Sequence, residues 1–131
     1  MLGGMTNHVE APFSLDKWEG GASAAVDGGP DSGVVELAKT YPGPDLVATA
    51  TGFALTTRGE RGASYVAQER IVGTLDGLTG SFVLEHRASM GEGFPTLMDA
   101  AVVHGSGTGE LAGLAGSGLV EHGLLILDYT L

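Results

Sequence analysis

The feature that most constrains the fold is a strict two-residue alternation in two consecutive segments. Residues 63–90, ASYVAQERIVGTLDGLTGSFVLEHRASM, alternate apolar and polar side chains from Ser64 to Leu75 and again from Ser81 to Met90. A period of two is typical of strands with one buried face. The segment between them, DGLTG, is rich in residues that tolerate a positive φ angle and form turns. The sequence therefore predicts one long antiparallel hairpin.

Two registers of this hairpin are open. A four-residue loop would place Leu75 opposite Gly80 and would pair Arg70 with Glu85, which is a favourable cross-strand ion pair. This is the preferred register. A two-residue turn at Asp76-Gly77 is the alternative, since that dipeptide is a common hairpin turn.

Glu69 and His86 are the strongest candidates for a functional site. They lie directly opposite each other in the first register and diagonally in the second, so both registers make them neighbours on the inward, otherwise apolar face. A carboxylate beside an imidazole can fix its tautomer and support acid–base chemistry. Tyr65 and Tyr129 are expected to join them as ligand-binding residues on the same interior surface.

Similar patterns along the rest of the chain predict an all-β protein. Residues 20–33 are expected to be mostly loop, with a short strand near residues 22–26 as the alternative, and the glycine-rich residues 105–118 are also expected to be loop. Gly123 is a candidate for a bulge within the last strand. The remaining strands are predicted over residues 8–19, with an interruption around Pro12, and over residues 34–41, 46–57, 96–104 and 119–131. About eight sequential strands form a meander, and closure into a single antiparallel barrel would remove its exposed edges.

Composition excludes several classes of function. The chain has 131 residues, so one domain spanning 1–131 is expected, and it contains no cysteine for a disulfide or a thiolate ligand. A net charge of −10 disfavours binding to nucleic acid or to an anionic membrane surface. The histidine spacings match no metal motif, so no metal and no cofactor are expected. The first ten residues show no secretory leader and no apolar stretch approaches a membrane span, so a soluble, cytoplasmic protein is expected.

Three segments together resemble a known family. They are ASYVAQERIVGTLDGLTGSFVLEH, SGTGELAGLAGSG and the terminal LDYTL, with FSLDKWE near the start. Their combination is similar to the bacterial domain-of-unknown-function family numbered 3224. The resemblance implies a barrel like that of allene oxide cyclase, and the second segment also looks like the glycine-rich turn of plant dirigent proteins. It implies no established activity.

An eight-stranded barrel can hold one small ligand or be filled by side chains. The leading hypothesis is binding of a small, partly apolar molecule inside the barrel, oriented by Glu69, His86 and Tyr65. One alternative is an isomerase or cyclase in which Glu69 and His86 perform acid–base catalysis. The other is a structural or homo-oligomer-forming protein with a filled barrel.

Overall fold

In the computed structural model, residues 6–131 are described, with the backbone alone for residues 22–24. Over this part the chain forms strands and turns and no helix, and therefore no helix that could cross a membrane. The expectation that the first ten residues show no secretory leader rests partly on residues 1–5, which lie outside the described part. The strands are β1 (Asn7–Pro12), β2 (Ser14–Ala25), β3 (Asp31–Pro42), β4 (Leu46–Arg58), β5 (Gly62–Leu75), β6 (Leu78–Gly91), β7 (Phe94–Val102), β8 (Thr108–Gly109), β9 (Ala115–Glu121) and β10 (Leu124–Thr130).

All the described strands belong to one antiparallel sheet. Their order across the sheet is β1-β10-β9-β7-β6-β5-β4-β3-β2, and the short β8 pairs with β6 beyond the end of β7. The sheet curls through 219° and remains open between β1 and β2. The all-β prediction is confirmed, but the closed barrel of about eight strands is wrong: the fold is a half-barrel of ten strands.

The opening is produced by a break in the first predicted strand. The predicted interruption near Pro12 is a complete break at Phe13, so residues 8–19 are divided between β1 and β2, which lie at opposite edges of the sheet. Pro12, at the end of β1, has no amide hydrogen to donate. β2 carries register irregularities beside Asp16 and again between Ala22 and Ala24. Bulges and charged side chains such as Lys17 are typical of edge strands that avoid further pairing.

The central hairpin is closed by the shorter of the two turns. Leu75 pairs with Leu78, so Asp76 and Gly77 alone form the loop. Their φ angles of 47° and 83° are those of a type I′ turn, whose twist matches that of the flanking strands. The prediction of a four-residue loop is therefore wrong, and the alternative register is the one adopted.

This register changes the partners of the outward side chains. Arg70 lies opposite Val83 and not opposite Glu85, so the predicted cross-strand ion pair does not form. Thr79, which a four-residue loop would have contained, is instead paired with Thr74 of β5 and hydrogen-bonded to Glu110 on the other side of β6. The amide of Thr79 donates to the Glu110 carboxylate, and the amide of Glu110 donates to the Thr79 carbonyl.

Two other segments differ from their predictions, one of them a predicted loop that is largely strand and the other a predicted single strand that is a hairpin. Residues 20–33 contain the second half of β2 and the start of β3, with only residues 26–30 between them. Residues 119–131 contain the end of β9 and all of β10, so Gly123, with φ of 70°, lies in a hairpin turn and not in a bulge.

The concave face of the sheet is filled at one end by apolar side chains. Two leucines of the glycine-rich segment, Leu111 and Leu114, fold over this end through successive backbone hydrogen bonds, and both are buried. The other large members of this core are Tyr41, Leu46, Ile71, Leu75, Phe82, Leu84, Leu125, Leu127 and Tyr129.

Replacing Gly77 by alanine should destabilise the protein by roughly 1 kcal/mol, because a Cβ is strained at positive φ even though no atom lies within 4 Å of its position. Urea denaturation measures the loss. Gly21→Ala is the control, since its Cβ would also meet open space and its φ is not positive. Equal stability of the two variants would contradict the type I′ assignment.

Candidate functional site

Four polar side chains lie inside the half-barrel, on the concave face of three strands. Lys39 and Tyr41 come from β3, Glu69 from β5 and His86 from β6. Their relative exposures are 4%, 1%, 1% and 4%, in that order. Charged groups are almost never buried this deeply unless they are paired, so these four residues form one unit, here called the buried cluster.

Glu69 is the centre of the buried cluster. Its Oε1 accepts a hydrogen bond of 2.6 Å from the Tyr41 hydroxyl. Its Oε2 accepts two more, each of 2.8 Å, from Lys39 Nζ and from His86 Nε2. Within the described part of the chain, every buried side-chain nitrogen and oxygen has a hydrogen-bond partner.

Lys39 and Glu69 meet across an intervening strand. β4 lies between β3 and β5, and strands two positions apart are separated by roughly 10 Å. The β4 residues directly beside them are small: Ala50 is paired with Lys39, and Gly52 is paired with Glu69. A Cβ at Gly52 would lie 2.0 Å from the carbonyl oxygen of Gln68, so β4 and β5 require glycine there. The long lysine side chain thus crosses a small-residue strand to reach the carboxylate.

The ionisation of Glu69 is decided by its partners. Burial acts to raise the pKa of the carboxyl group, but the hydrogen bond from His86 and the charge and hydrogen bond of Lys39 outweigh it, and the net pKa is lowered. Burial raises the pKa of Tyr41, and the adjacent Glu69 charge adds to that effect. The cluster therefore contains a carboxylate, an ammonium and a neutral phenol.

The imidazole of His86 links the buried cluster to Tyr65. An ionised carboxylate only accepts hydrogen bonds, so His86 Nε2 carries a hydrogen. In the neutral ring Nδ1 then accepts from the Tyr65 hydroxyl, which lies 3.1 Å away. Burial, and then the Glu69 charge, raise the pKa of Tyr65. The Tyr65 ring also contacts Trp18 edge-on, with 5.9 Å between the centroids.

Tyr65 and Trp18 line a cavity at the open end of the half-barrel. Its volume is about 430 Å³, and we call it the mouth cavity. Its other lining side chains on the concave face include Asp31, Val35, Thr56, Arg58, Ala63, Ala88 and Met90. The apolar layer next to the mouth cavity is small, since it consists of Val35, Leu37, Ala54 and Ala67 with Tyr65 packed against them. The concave face is therefore filled at one end and empty at the other, with the buried cluster between them.

The structure brings three of the four predicted site residues together. Glu69 and His86 are hydrogen-bonded in the diagonal arrangement of the two-residue-turn register, and Tyr65 follows His86. Tyr129 lies elsewhere, in the filled core, where its hydroxyl donates to Asp76 in the β5–β6 turn. Burial, together with that hydrogen bond, raises the pKa of Tyr129 to about 12. The catalytic and ligand-binding roles of these residues remain predictions.

Sequence reasoning missed Lys39 and Tyr41. The signal was present, since Val35 and Leu37 precede them at alternate positions and place both on the inward face of β3. A lysine in an otherwise apolar inward row requires a buried acid, and Glu69 was the available one. Phe13, at the corner between β1 and β2, covers the lysine with its ring, 4.1 Å from Nζ.

These features define a class of protein: a curled antiparallel half-barrel with a buried ion cluster beneath an open cavity. The chain belongs to the family described as "Protein of unknown function (DUF3224)", whose model matches residues 9–124. It is also similar to a crystal structure of a protein with unknown function from the DUF3224 family from Shewanella oneidensis MR-1. The two are 34% identical over 96% of each chain, with a TM-score of 0.80. No protein with a curated functional description matches the sequence. The family prediction is confirmed, while the likeness to allene oxide cyclase remains a prediction.

Lys39→Met should lower the free energy of unfolding by about 3 kcal/mol, because it preserves the aliphatic stem but removes the charge that balances the buried Glu69. Lys17→Met on β2 is the matched control. Lys17 forms a surface ion pair with Glu36 at 3.1 Å, and such pairs contribute little. Denaturation curves that shift equally for the two variants would show that the buried pair is not a structural requirement.

The lowered pKa of Glu69 predicts acid sensitivity. The unfolded carboxyl group, with a pKa near 4.5, binds a proton more readily than the folded one. The stabilisation is therefore present above that value and is lost as the pH falls through the lower folded pKa. Urea denaturation at about pH 7 and about pH 3 should show a large Glu69→Gln defect at the higher pH that shrinks at the lower one. The exposed control Glu85→Gln should show little defect at either pH, and a Glu69→Gln defect that did not depend on pH would contradict this account.

Proposed function

We propose that this protein binds a small, partly apolar molecule in the mouth cavity. The observation that carries the proposal is the division of the concave face: large apolar side chains fill one end, and the other end is a cavity lined by Trp18, Tyr65 and Met90 together with small residues and a few polar ones. A concave, largely apolar site with a few convergent polar groups is the usual form of a small-molecule site. The cavity volume of about 430 Å³ suits a molecule of modest size.

The ligand contacts Tyr65 and Trp18 in this proposal, and not the buried cluster itself. The side chains of Glu69 and His86 are almost fully buried, and their hydrogen-bonding atoms are already occupied. Their part is to position Tyr65, whose hydroxyl is held by His86 Nδ1. This differs from the sequence-based hypothesis, in which Glu69 and His86 touched the ligand directly.

The isomerase or cyclase alternative is less well supported. It requires Glu69 or His86 to exchange a proton with a bound molecule. Glu69 has a lowered pKa and three donors around its carboxylate, which makes it a weak and inaccessible base. Ligand binding does not require Glu69 or His86 to exchange a proton, and it therefore fits the geometry better.

Filling the mouth cavity should abolish binding without unfolding the protein. Ala88→Phe places a ring on the concave face directly opposite Tyr65. Gln68→Phe places the same ring on the opposite, exposed face of β5 and is the control. Native mass spectrometry of each protein, purified from its own host, should find a retained small molecule in the wild type and in Gln68→Phe but not in Ala88→Phe.

Retention of the molecule by Ala88→Phe would place the binding site elsewhere. Its absence from all three proteins, together with an unchanged Trp18 emission spectrum across a panel of small aromatic and aliphatic compounds, would contradict the proposal. Trp18 serves as the reporter because it is the only tryptophan in the sequence and it lines the cavity.

The remaining expectations stay predictions: no nucleic-acid or membrane partner, no metal or cofactor, a cytoplasmic location, and the homo-oligomer alternative. One observation bears on the last of these. Val34, Leu55 and Val66 lie directly across from one another on β3, β4 and β5 and are each about half exposed or more on the outer face. Apolar rows of this kind are where a second copy of a chain would pack.

A further inference from the structure

The mouth cavity is lined by one acid and one base on neighbouring strands. Asp31 begins β3 and Arg58 ends β4, and the two are directly paired in the register. Both continue the inward-facing row of their strand, Asp31 with Gly33 and Val35, and Arg58 with Thr56. Both line the cavity and both are exposed.

Asp31 and Arg58 form no ion pair with each other. Directly opposed Asp and Arg side chains commonly form an ion pair, yet across residues 6–131 neither of them takes part in an ion pair or a side-chain hydrogen bond. By contrast, Lys17, Lys39 and Arg87 each contact a carboxylate. The cavity therefore presents a guanidinium and a carboxylate with free hydrogen-bonding capacity, side by side above an aromatic wall.

A ligand with a single charge would satisfy only one of these two groups. An anion at Arg58 would lie beside the Asp31 carboxylate, and a cation at Asp31 would lie beside the Arg58 guanidinium. A free anion is also disfavoured by the field of a protein with a net charge of −10. A molecule that carries a cationic and an anionic group close together and is neutral as a whole avoids all three penalties.

We propose that the ligand is a zwitterion of the amino-acid type with an apolar side chain. Arg58 binds its carboxylate, since the planar guanidinium matches a carboxylate with two parallel hydrogen bonds. Asp31 accepts from its ammonium group. The apolar side chain lies against Trp18, Tyr65 and Met90. This inference rests on the proposed function, because it names the class of molecule that the mouth cavity holds.

Three probes of the same shape separate the two charges. L-phenylalanine carries both, 3-phenylpropionate lacks the ammonium group and phenethylamine lacks the carboxylate. Titration of each against the full chain, followed by Trp18 emission, should show L-phenylalanine binding at least about tenfold more tightly than the other two, as expected for one charge-assisted contact.

Two charge-removing variants make the assignment specific. Arg58→Gln and Asp31→Asn should each lower the affinity for L-phenylalanine by about tenfold. Asp31→Asn should at the same time increase the affinity for 3-phenylpropionate, because it removes the carboxylate that repels this anion. Arg58→Gln should increase the affinity for phenethylamine, because it removes the guanidinium that repels this cation. Arg70→Gln is the matched control: Arg70 is an exposed arginine on the outer face of β5, is in no ion pair within the described chain and lines none of the mouth cavity.

The outcomes distinguish this inference from the proposed function. Equal or tighter binding of either singly charged probe, or unchanged L-phenylalanine affinity in both variants, would overturn the zwitterion while leaving small-molecule binding intact. If no probe changes Trp18 emission but a molecule is retained in native mass spectra, the zwitterion is wrong and the proposed function stands. If neither is observed, both are wrong.

Discussion

The ion pair between Lys39 and Glu69 is the interaction on which the interior of this protein depends. Two opposite charges with almost no exposure require near-complete pairing, because an unbalanced charge in this environment would be expensive. The pair spans three strands, β3 to β5, over Ala50 and Gly52. In the register Lys39 is level with Ile71 and Glu69 is level with Leu37, so the ion pair runs diagonally across β4.

The buried cluster also separates two environments on one concave surface. On one side, the core is closed by large side chains and by the glycine-rich segment, whose Leu111 and Leu114 fold over its end. On the other side, the apolar layer is reduced to Val35, Leu37 and two alanines, with Tyr65 packed against it. The filled end provides the apolar burial that stabilises the fold, and this leaves the open end free to remain hollow.

Much of the interior could be predicted from the sequence because alternation is a local property. The inward positions of Glu69, His86 and Tyr65 follow from the period of two alone, and a register error of two residues leaves them unchanged. The register itself depended on weighing an ion pair between Arg70 and Glu85 against a turn. Exposed ion pairs are weak, and the type I′ turn, reinforced by the pairing of β8 with β6, prevailed.

The closure of the barrel and the contact between Lys39 and Glu69 could not be predicted from the sequence, for a different reason. Whether the first and last strands of a meander meet depends on the total curl of the sheet, which no short segment specifies. A break at Phe13 placed consecutive strands at opposite edges, and the sheet stayed open. Lys39 was missed because its partner lies two strands away, and the small residues of β4 that permit the contact are recognisable only once the strand order is known.

Tyr65 is the residue that connects the buried cluster to the mouth cavity. Its hydroxyl is held by an imidazole that the Glu69 carboxylate orients, and its ring packs against Trp18 on the edge strand β2. Closing the barrel would have required β2 to pair with β1, and its side chains would then have been fixed by two neighbours. As an edge strand, β2 is held by β3 alone. One wall of the mouth cavity therefore comes from β5, which is paired on both sides and whose Tyr65 is hydrogen-bonded to His86, and the facing wall comes from β2, which is paired on one side only.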